Sequence, residues 1–491
     1  MERGTVKLNI LSVASECAPF VKTGGLADVV GALPAALAAE GVAVRTLLPA
    51  YPAVLAQATG AKVLATEKNL FGGPARVLSA KMAGLDMLLL DAPHLFDREG
   101  NIYLGADGKD WPDNPERFAA LSWVAAQIGA KGIDGWVPDL VHCHDWQAGF
   151  APEYLRAMGR PVPSVLTIHN IAFHGYAPVQ KLGALKLDPA RYDRDGFEFW
   201  GKISALKAGL MAADRLTTVS PSYAVELMRE EFGMGMDGVM RHRARDLSGI
   251  LNGIDTDVWS PQQDPAITPY SVQDLAGKAQ NKAALRAEMG LPDSDGPLLC
   301  VVSRLTEQKG LDLLLQALPA LTAAGGQLAL LGSGEKWMEA AFLEAANGDP
   351  HIAVKIGYDE GLSHRLIAGA DAILVPSRFE PCGLTQMYGL RYGTLPVVAL
   401  TGGLADTVIN ASPAALAQGV ATGIQFHPVT TTTLMQAITT ACRLWQDKAT
   451  WARMQANAMA QPVDWGPSAK DYAALYQSLV AKPRKKAPAR K

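Results

Sequence analysis

Short apolar segments alternate with helix-like segments along nearly the whole chain, and this alternation constrains the fold more than any other feature. In the first half, the strand-like segments are NILSVA, AVRTLLP, LDMLLLD, LVHCHD, SVLTIHN and RLTTVS. Helix-like segments such as ADVVGALPAALAAEG and NPERFAALSWVAAQIG lie between them. Alternation of this kind is typical of parallel βαβ units. The first half is therefore predicted to form a doubly wound α/β domain.

The same alternation begins again after GILNGIDTDVWSP. The strand-like segments are now LLCVVSRL, QLALLGSG, IAVKIGY, AILVPS and LPVVALT. A length of 491 residues also favours two or three domains, since domains hold roughly 100 to 200 residues each. We therefore predict two doubly wound α/β domains in tandem. Open parallel sheets bind ligands outside the carboxyl ends of their strands, so function is expected in the loops that follow the strands.

The cysteines and the apolar runs bear on the compartment. Five cysteines are scattered along the chain without a C-x-x-C pair, which argues against a disulfide scaffold and a zinc finger and favours a reducing cytosol. No apolar run approaches the roughly 18 residues of a membrane span, and the chain enters a strand-like segment almost at once. We therefore expect a cytoplasmic protein with no export signal and no membrane partner.

The net charge is −3, and the last ten residues are strongly basic. The tail KPRKKAPARK holds six Lys and Arg residues, which leaves 39 basic against 48 acidic residues in the remainder. An acidic body argues against nucleic acid as a partner. The Pro and Ala spacing favours a disordered, solubilising tail at 481–491 over a contact with an anionic surface.

The hexapeptide TGGLAD occurs twice, at Thr23–Asp28 and at Thr401–Asp406. Each copy is predicted to be a Gly-Gly turn that opens a helix. Such a turn lets backbone N–H groups approach an anion, and the helix dipole favours phosphate there. Lys22 adds a cation just before the first copy. The alternative is an ordinary helix start in which Gly is present for its conformational freedom.

Several loops of the second half carry chemistry. Arg304 and Lys309, in VVSRLTEQKG, suit a diphosphate leaving group because fixed cations stabilise the charge that develops on it; a solvated loop is the alternative. Gly332–Gly334, in LLGSGE, forms another anion-friendly turn. Glu380 and Cys382 precede a helix in SRFEPCGLTQMYG. A carboxylate among phosphate sites suggests that Glu380 addresses sugar hydroxyls or a developing positive charge, although a capping role is equally open.

Histidines and an aspartate mark strand ends in the first half. The segments HCHDWQAG and TIHNIAFHG place His142, His144, Asp145 and His169 at or beyond these ends. A metal site on His142, His144 and Asp145 is one interpretation. We prefer sugar recognition by Asp145, His169 and Asn170, because no second acidic ligand cluster is evident and the cations above already supply a metal's electrostatic role.

Two familiar motifs lack their context. GMGMDG, at Gly233–Gly238, matches G-x-G-x-x-G but follows a helix-like segment, whereas the dinucleotide fingerprint follows a strand. The tripeptide D-x-D of many sugar-nucleotide enzymes occurs as DRD, DTD and DSD. Its repetition makes it uninformative, and a nicotinamide dehydrogenase is not supported.

The motifs together resemble one family. In chain order they are KTGGLADVVGALP, HDWQAG, TIHNIAFHG, VSPSYAVE, LNGID, SRLTEQKG, IGYDE, SRFEPCGLTQMYGLRYG and TGGLADTV. This series closely resembles the bacterial glycogen synthases and plant starch synthases, which use ADP-glucose. The resemblance spans about Asn9 to Tyr476.

The resemblance implies a GT-B architecture, in which two Rossmann-like domains face each other across a deep cleft. The first domain, on the glucan acceptor side, is expected at 1–248 and is completed by a crossing helix at about 464–480. The second, which binds ADP-glucose, is expected at 254–463. The implied activity is transfer of glucose from ADP-glucose to the non-reducing 4-hydroxyl of an α-1,4-glucan, with retention of configuration and without a metal or other cofactor.

The resemblance also implies the site residues. The catalytic set is Glu380, His169, Asp145, Lys309 and Arg304. The substrate-binding set is Lys22, Gly24, Gly25, Asp28, Asn170, Asn252, Gly332, Ser333, Gly334, Tyr358, Cys382, Gly383, Leu384, Thr401, Gly402 and Gly403.

Within these sets, some roles follow from the same resemblance. Lys22 and the pair Arg304 and Lys309 look like diphosphate contacts. The Gly402–Gly403 turn would present its N–H groups to the same phosphates, and Tyr358 is similar to the aromatic residue that stacks on adenine.

The implied mechanism is front-face attack, in which the departing phosphate takes the acceptor's proton. The backbone carbonyl of His169 is then expected near the anomeric carbon, and Glu380 positions the sugar and is not a nucleophile. Two positions depart from related enzymes: Leu400 replaces the usual Arg before the second TGGL, and Tyr388 replaces the second Glu of E-x7-E. The alternatives are a UDP-sugar enzyme or phosphorylase of the same architecture, and a non-catalytic glucan-binding protein.

Overall fold

The structure, a computed structural model, describes residues 8–481 and divides into two compact units. The first unit comprises the described residues up to Val219, Ala224–Ile250 and the described residues from Trp465 onward. The second comprises Ser220–Tyr223 and Leu251–Asp464. Apart from Ala481, the basic tail predicted at 481–491 lies outside the described residues. In the described range, no helix is both long enough and apolar enough to cross a bilayer.

The first unit combines a large sheet, a small sheet and surrounding helices. Its strands are β1 (Leu8–Val13), β2 (Val42–Pro49), β3 (Lys62–Leu70), β4 (Gly73–Met82), β5 (Leu85–Asp91), β6 (Leu140–His144), β7 (Ser164–Ile168), β8 (Tyr176–Pro178), β9 (Glu198–Phe199), β10 (Lys202–Ser204), β11 (Arg215–Thr218) and β12 (Leu247–Gly249). Its helices are α1 (Gly25–Ala39), α2 (Pro52–Leu55), α3 (Pro93–Phe96), α4 (Asn114–Lys131), α5 (Phe150–Ala157), α6 (Ala205–Ala212), the second half of α7 (Pro221–Glu226), α8 (Asp237–His242) and α18 (Gly466–Val480).

The large sheet has the order β12-β11-β7-β6-β1-β2-β5-β4-β3. The strands from β12 to β5 run parallel, and β4 and β3 continue the sheet antiparallel. The chain builds outward from β1 through β2 and β5, and then returns to the other side of β1 with β6. The topological switch point, where open α/β sheets bind ligands, therefore lies between β1 and β6.

The antiparallel extension of this sheet was not predicted from the sequence. Two-residue turns join its strands, Phe71–Gly72 between β3 and β4 and Ala83–Gly84 between β4 and β5, and all four residues have positive φ. Turns of this kind match the right-handed twist of a hairpin. Most of β3 is exposed, so its sequence KVLATEKNL lacks the apolar run by which buried strands are found.

The second unit is a single parallel sheet with helices around it. Its strands are β13 (Leu298–Val302), β14 (Gln327–Gly332), β15 (Ile352–Ile356), β16 (Ala372–Val375), β17 (Leu395–Ala399) and β18 (Ile424–Phe426). Its helices are α9 (Ala276–Met289), α10 (Leu311–Ala323), α11 (Lys336–Gly348), α12 (Glu360–Gly369), α13 (Thr385–Arg391), α14 (Gly402–Thr407), α15 (Pro413–Gln418), α16 (Thr431–Gln446) and α17 (Lys448–Met459).

The strand order of the second sheet is β15-β14-β13-β16-β17-β18, all parallel. Counted from its first strand, this is the order 3-2-1-4-5-6 of dinucleotide-binding Rossmann folds, with the switch point between β13 and β16. Every residue of β14, β16 and β17 is buried, as expected for strands covered on both faces. The predicted two doubly wound α/β units are confirmed.

Helix α18 belongs to the first unit although it lies at the opposite end of the described chain. Its Tyr472 and Tyr476, fully buried, pack in one core with Ile10 of β1 and Leu33 of α1. The Tyr476 hydroxyl lies 2.8 Å from Nδ1 of His142 on β6. Burying a large side chain contributes roughly 1.5–3 kcal/mol, so this helix is a substantial part of the unit's core.

Candidate active site

In the first unit, the predicted site residues follow three adjacent strands. The loop Lys22–Gly25 follows β1, Asp145 follows β6, and His169–Asn170 follows β7. Strand β6 lies between β1 and β7, and all three run parallel. Their carboxyl ends therefore bring these residues to one edge of the sheet, at the switch point.

The first TGGLAD copy opens helix α1, as predicted, with Gly24 as the residue preceding the helix. Its loop N–H groups are already engaged, because Thr23 N and Gly24 N donate to Oε2 of Glu16 at 2.5 and 3.2 Å. The Glu16 side chain is buried and also accepts from the hydroxyl of Tyr103 at 2.5 Å. A carboxylate of the chain thus occupies part of the anion-binding turn. Sequence reasoning missed Glu16, which lies three residues beyond the end of β1 and belongs to none of the quoted motifs.

Lys22 pairs with Asp28 across the first turn of α1. The Lys22 Nζ lies 2.8 Å from Asp28 Oδ1, and the Lys22 side chain is half exposed. An exposed ion pair contributes only about 0–1 kcal/mol. The ammonium can therefore exchange Asp28 for a phosphate at little cost, while Gly24 and Gly25 remain exposed beside it.

Asp145 fixes the loop that carries His169 and Asn170. Its Oδ1 accepts from His169 N at 2.6 Å and from Asn170 N at 3.4 Å. Asp145 also has a φ of 54°, a left-handed conformation that costs a non-glycine residue roughly 1–3 kcal/mol. Burial raises its pKa to about 7, although the two backbone donors act in the opposite direction. The side chain is a positioning group for the backbone of the His169 loop.

Two buried histidines, His142 and His144, lie next to each other on β6, and His144 also neighbours the partly buried His169 of this loop. His144 Nδ1 lies 3.0 Å from His169 Nε2, and His144 Nε2 lies 3.2 Å from Ser12 Oγ. His142 Nε2 lies 2.6 Å from Thr167 Oγ1. Burial lowers the pKa of His142 and of His169 to about 3, so both rings are neutral at physiological pH. In residues 8–481, no group of three or more His, Cys, Asp or Glu side chains is arranged to hold a metal ion.

In the second unit, the partly buried Lys309 and the buried Glu380 form an ion pair at the switch point. Lys309 follows β13, Glu380 follows β16, and the two strands are neighbours. Lys309 Nζ lies 2.5 Å from Glu380 Oε2, which also accepts from Ser377 Oγ at 2.8 Å. Both side chains line a cavity of about 50 Å³ together with Gly383. Ser377 was not predicted.

Arg304 differs from Lys309 although both lie on the loop after β13. Arg304 is exposed, and no ion-pair partner is found for it in the described part of the chain. Its loop is held against the turn after β14, because Leu305 N donates to Ser333 O at 2.9 Å. A Cβ on Gly332 would lie 2.0 Å from Ser303 O, and one on Gly334 would lie 2.2 Å from Leu305 O. These glycines are therefore required for close packing between the two loops.

One backbone N–H group of the Gly332–Gly334 turn already binds a carboxylate of the chain. Gly334 N donates to Oε1 of Glu339 at 2.9 Å.

Tyr358, which follows β15, is 82% exposed, and its hydroxyl contacts the Glu360 carboxylate. The ring faces of Tyr358 are thus accessible for stacking at the same edge of the sheet.

The second TGGLAD copy also opens a helix, α14, but its Gly403 N–H does not face an open site. Gly403 N donates to Glu380 O at 3.1 Å and to Pro381 O at 3.2 Å. For the Gly403 N–H, the expected presentation to phosphate is therefore wrong in this structure: the group holds the Glu380 backbone instead. Thr401 is buried beside this turn, and Leu400 is 44% exposed.

The segment Cys382–Leu384 leads from Glu380 into α13. Cys382 is buried, and burial raises the pKa of its thiol to about 12. Gln386 Nε2, which sequence reasoning missed, donates to Cys382 O at 3.1 Å and to Gly383 O at 3.0 Å. Asn252, at the start of the segment Leu251–Asp464, is also buried. Its Oδ1 has no hydrogen-bond partner within residues 8–481. It is a buried acceptor whose hydrogen-bonding capacity is unused within the described residues.

Comparison with known proteins identifies relatives over nearly the full length. The sequence profile of the family described as starch synthase catalytic domain matches residues 9–242, and that of glycosyl transferases group 1 matches residues 285–458. Proteins named glycogen synthase from Jannaschia sp. (strain CCS1) and Paracoccus denitrificans (strain Pd 1222) are 61% and 62% identical over 96% of this chain and 99% of theirs. The catalytic domain of starch synthase IV from Arabidopsis thaliana, solved with ADP and acarbose, is 31% identical, with a TM-score of 0.86 over 97% of this chain and 100% of that one.

Proposed function

Because the chain belongs to the glycogen synthase family of glycosyltransferases, we propose that it transfers glucose from ADP-glucose to the non-reducing 4-hydroxyl of an α-1,4-glucan, with retention of configuration. The observation that carries the proposal is the partly buried Lys309–Glu380 pair at the switch point of the second sheet. A cation and a carboxylate side by side suit a substrate whose diphosphate leaves from a sugar that becomes positively charged.

The second unit is assigned the donor. Lys309 and Arg304 stabilise the negative charge that develops on the diphosphate as the bond from C1 to phosphate oxygen breaks. Glu380 holds the sugar hydroxyls and offsets positive charge at C1. The Cys382–Leu384 segment and Asn252 contribute polar backbone and side-chain groups around the sugar.

Adenine recognition is assigned to Tyr358, because its ring is exposed and can stack on a base. Aromatic stacking contributes roughly 1–3 kcal/mol per base. Thr401 and Gly402 are assigned to the phosphate side of the same strand-end loops. Gly403 is assigned instead to support of Glu380, since its N–H is bonded to the Glu380 carbonyl.

The first unit is assigned the acceptor. Asp145 orders the backbone of His169 and Asn170, and the carbonyl of His169 is proposed to lie near C1 during transfer. The acceptor 4-hydroxyl attacks C1 on the face from which ADP departs, and its proton passes to the departing phosphate oxygen. Lys22 exchanges Asp28 for phosphate when the donor is bound. We place the reaction in the cytoplasm, because the five cysteines are all free and buried.

A donor panel with a glycogen primer tests the substrate assignment. ADP-glucose should support extension far better than UDP-glucose or glucose 1-phosphate, and the rate should persist in EDTA because no step uses a metal. A clear preference for UDP-glucose or glucose 1-phosphate would reject the ADP-glucose donor and favour the UDP-sugar enzyme or phosphorylase alternative.

Replacement of Glu380 tests the catalytic assignment. Glu380→Ala should lower kcat at least about a hundredfold while ADP still binds, because the phosphate contacts remain. Glu288→Gln is the matched control, since Glu288 is a carboxylate of the same unit that pairs with Arg365 at 2.7 Å outside the site. Wild-type turnover in Glu380→Ala would remove Glu380 from the mechanism.

A further inference from the structure

An exposed aromatic surface lies on the small three-stranded sheet of the first unit, which the proposed mechanism does not use. The sheet has the order β8-β10-β9. Trp200 is 82% exposed and Tyr176 is 44% exposed. Buried Phe199 lies between them: its ring stacks on Tyr176 with centroids 6.2 Å apart and meets Trp200 edge-on at 6.1 Å. We call Tyr176, Phe199 and Trp200 the aromatic ridge.

The conformation of Trp200 is unfavourable for a side chain of its kind. Trp200 and Gly201 form the two-residue turn between β9 and β10, with φ values of 51° and 75°. The turn is fixed by a hydrogen bond from Gly201 N to Glu198 Oε1 at 2.8 Å. Asn or Gly is the usual residue at such a position. A large apolar side chain that is both strained and exposed indicates a role other than folding.

The orientation of Tyr176 is also fixed. Its hydroxyl lies 2.9 Å from Nδ1 of the buried His174, and Lys202 Nζ lies over its ring, 5.0 Å from the centroid. The exposed rings therefore present preset surfaces, which lose little conformational entropy when a ligand binds.

The aromatic ridge is continuous with the acceptor loop. Only five residues separate Asn170 from Tyr176, so at most about 20 Å of chain joins them. Along this segment, Phe173 N donates to Asn170 O at 3.4 Å. A Cβ on Gly175 would lie 2.3 Å from the ring of Trp146, so the segment packs directly on the residue after Asp145.

We propose that Tyr176 and Trp200 form a stacking surface for glucosyl units of the α-glucan acceptor, away from the reacting end. This inference rests on the proposed function, since a polymeric acceptor whose end lies at the His169 loop must leave the site along a neighbouring surface. The apolar faces of pyranose rings match flat aromatic rings, and their hydroxyls stay hydrated at the ring edges. Of the two lysines at this sheet, Lys202 is placed over the Tyr176 ring and Lys207 donates to the Glu198 carbonyl, so both are engaged within the chain, which suits a neutral ligand.

Glycogen affinity of single variants tests the proposal. Trp200→Asn keeps the turn, because Asn tolerates positive φ, and Tyr176→Ala removes the second exposed ring. Each change should weaken retardation in native gels containing glycogen by roughly three- to tenfold. The KM for glycogen should rise by a similar factor, whereas the KM for ADP-glucose should stay within about twofold. Trp337→Ala is the matched control, because Trp337 is a half-exposed tryptophan of the second unit.

The outcomes separate this proposal from the proposed function. Transfer from ADP-glucose to maltotriose by the wild-type protein tests the function alone, while gel retardation tests the aromatic ridge without turnover. Unchanged retardation of both Trp200→Asn and Tyr176→Ala would refute glucan binding by the aromatic ridge. A change of oligomeric state in size-exclusion chromatography with unchanged glucan affinity also overturns it, and identifies the surface as a contact between copies of the chain.

Discussion

Glycine is required at position 403 because the backbone of the loop Glu380–Gly383 lies too close for a side chain. Gly403→Ala tests this requirement. An added Cβ would lie 2.0 Å from Cys382 O and 2.5 Å from Cys382 Cα, both backbone atoms that no side-chain rotation can move. Reaching an ordinary contact of about 3.4 Å requires the Glu380–Gly383 loop or the start of α14 to shift by about 1.4 Å. The Gly403 N–H bonds to the carbonyls of Glu380 and Pro381 would be strained by the same shift.

The expected cost has a stability part and a catalytic part. Overpacking of this kind destabilises by roughly 1–3 kcal/mol. A misplacement of about 1 Å at a catalytic group can cost about a hundredfold in rate, which corresponds to about 2.7 kcal/mol in the activation free energy. We therefore expect kcat to fall about a hundredfold at a temperature where the variant remains folded.

Initial rates with ADP-glucose and glycogen, combined with thermal unfolding, measure both parts. Gly348→Ala controls for activity, because a Cβ there meets no atom within 4 Å and Gly348 is exposed at the end of α11. Gly25→Ala controls for stability: it is the same position of the first TGGLAD copy, and its Cβ also meets nothing within 4 Å. Wild-type kcat and melting temperature in Gly403→Ala would refute the reasoning.

Two further predictions concern a buried histidine and the position before the second TGGLAD copy. Burial lowers the pKa of His142 to about 3, so between pH 6.5 and 3 the unfolded chain binds a proton that the folded chain does not, and folding becomes less favourable as the pH falls. The stability advantage of wild type over His142→Gln should shrink by about 1.4 kcal/mol per pH unit below 6, and an advantage independent of pH in urea titrations would contradict this. Leu400→Arg should lower the KM for ADP-glucose by roughly three- to tenfold, because a charge-assisted hydrogen bond to a donor phosphate contributes about 1 kcal/mol or more. An unchanged KM would show that residue 400 does not interact with the donor's phosphates.

The sequence predicted those parts of the fold that are buried on both faces. LDMLLLD, for example, is β5 over Leu85–Asp91, and QLALLGSG contains β14 over Gln327–Gly332. A buried parallel strand is apolar along its length, so the pattern is visible in one sequence. Strands β3, β4, β8, β9, β10, β12 and β18 were missed. Five of them, β8, β9, β10, β12 and β18, have only two or three residues. The other two, β3 and β4, lack a continuous apolar run, and their pairing depends on the turn Phe71–Gly72.

In the candidate site, individual residues could be predicted from the sequence, whereas contacts between residues distant in the chain could not. Lys309 and Glu380 were each predicted, but nothing in the sequence indicated that they form an ion pair across 71 positions. Glu16 was missed for a similar reason. Its carboxylate acts on Thr23 and Gly24 through a turn of the chain, and a single Glu after a strand carries no motif of its own.

The two TGGLAD copies therefore differ in what their glycines do. In the first copy, a Cβ at Gly24 or Gly25 would meet no atom within 4 Å, so packing does not require glycine at either position. In the second copy, Gly402 has a φ of 43° and its Cβ would lie 2.0 Å from Glu380 O, so packing and conformation together require glycine. The same six residues thus leave open space beside their glycines in one unit and hold the backbone of Glu380 in the other.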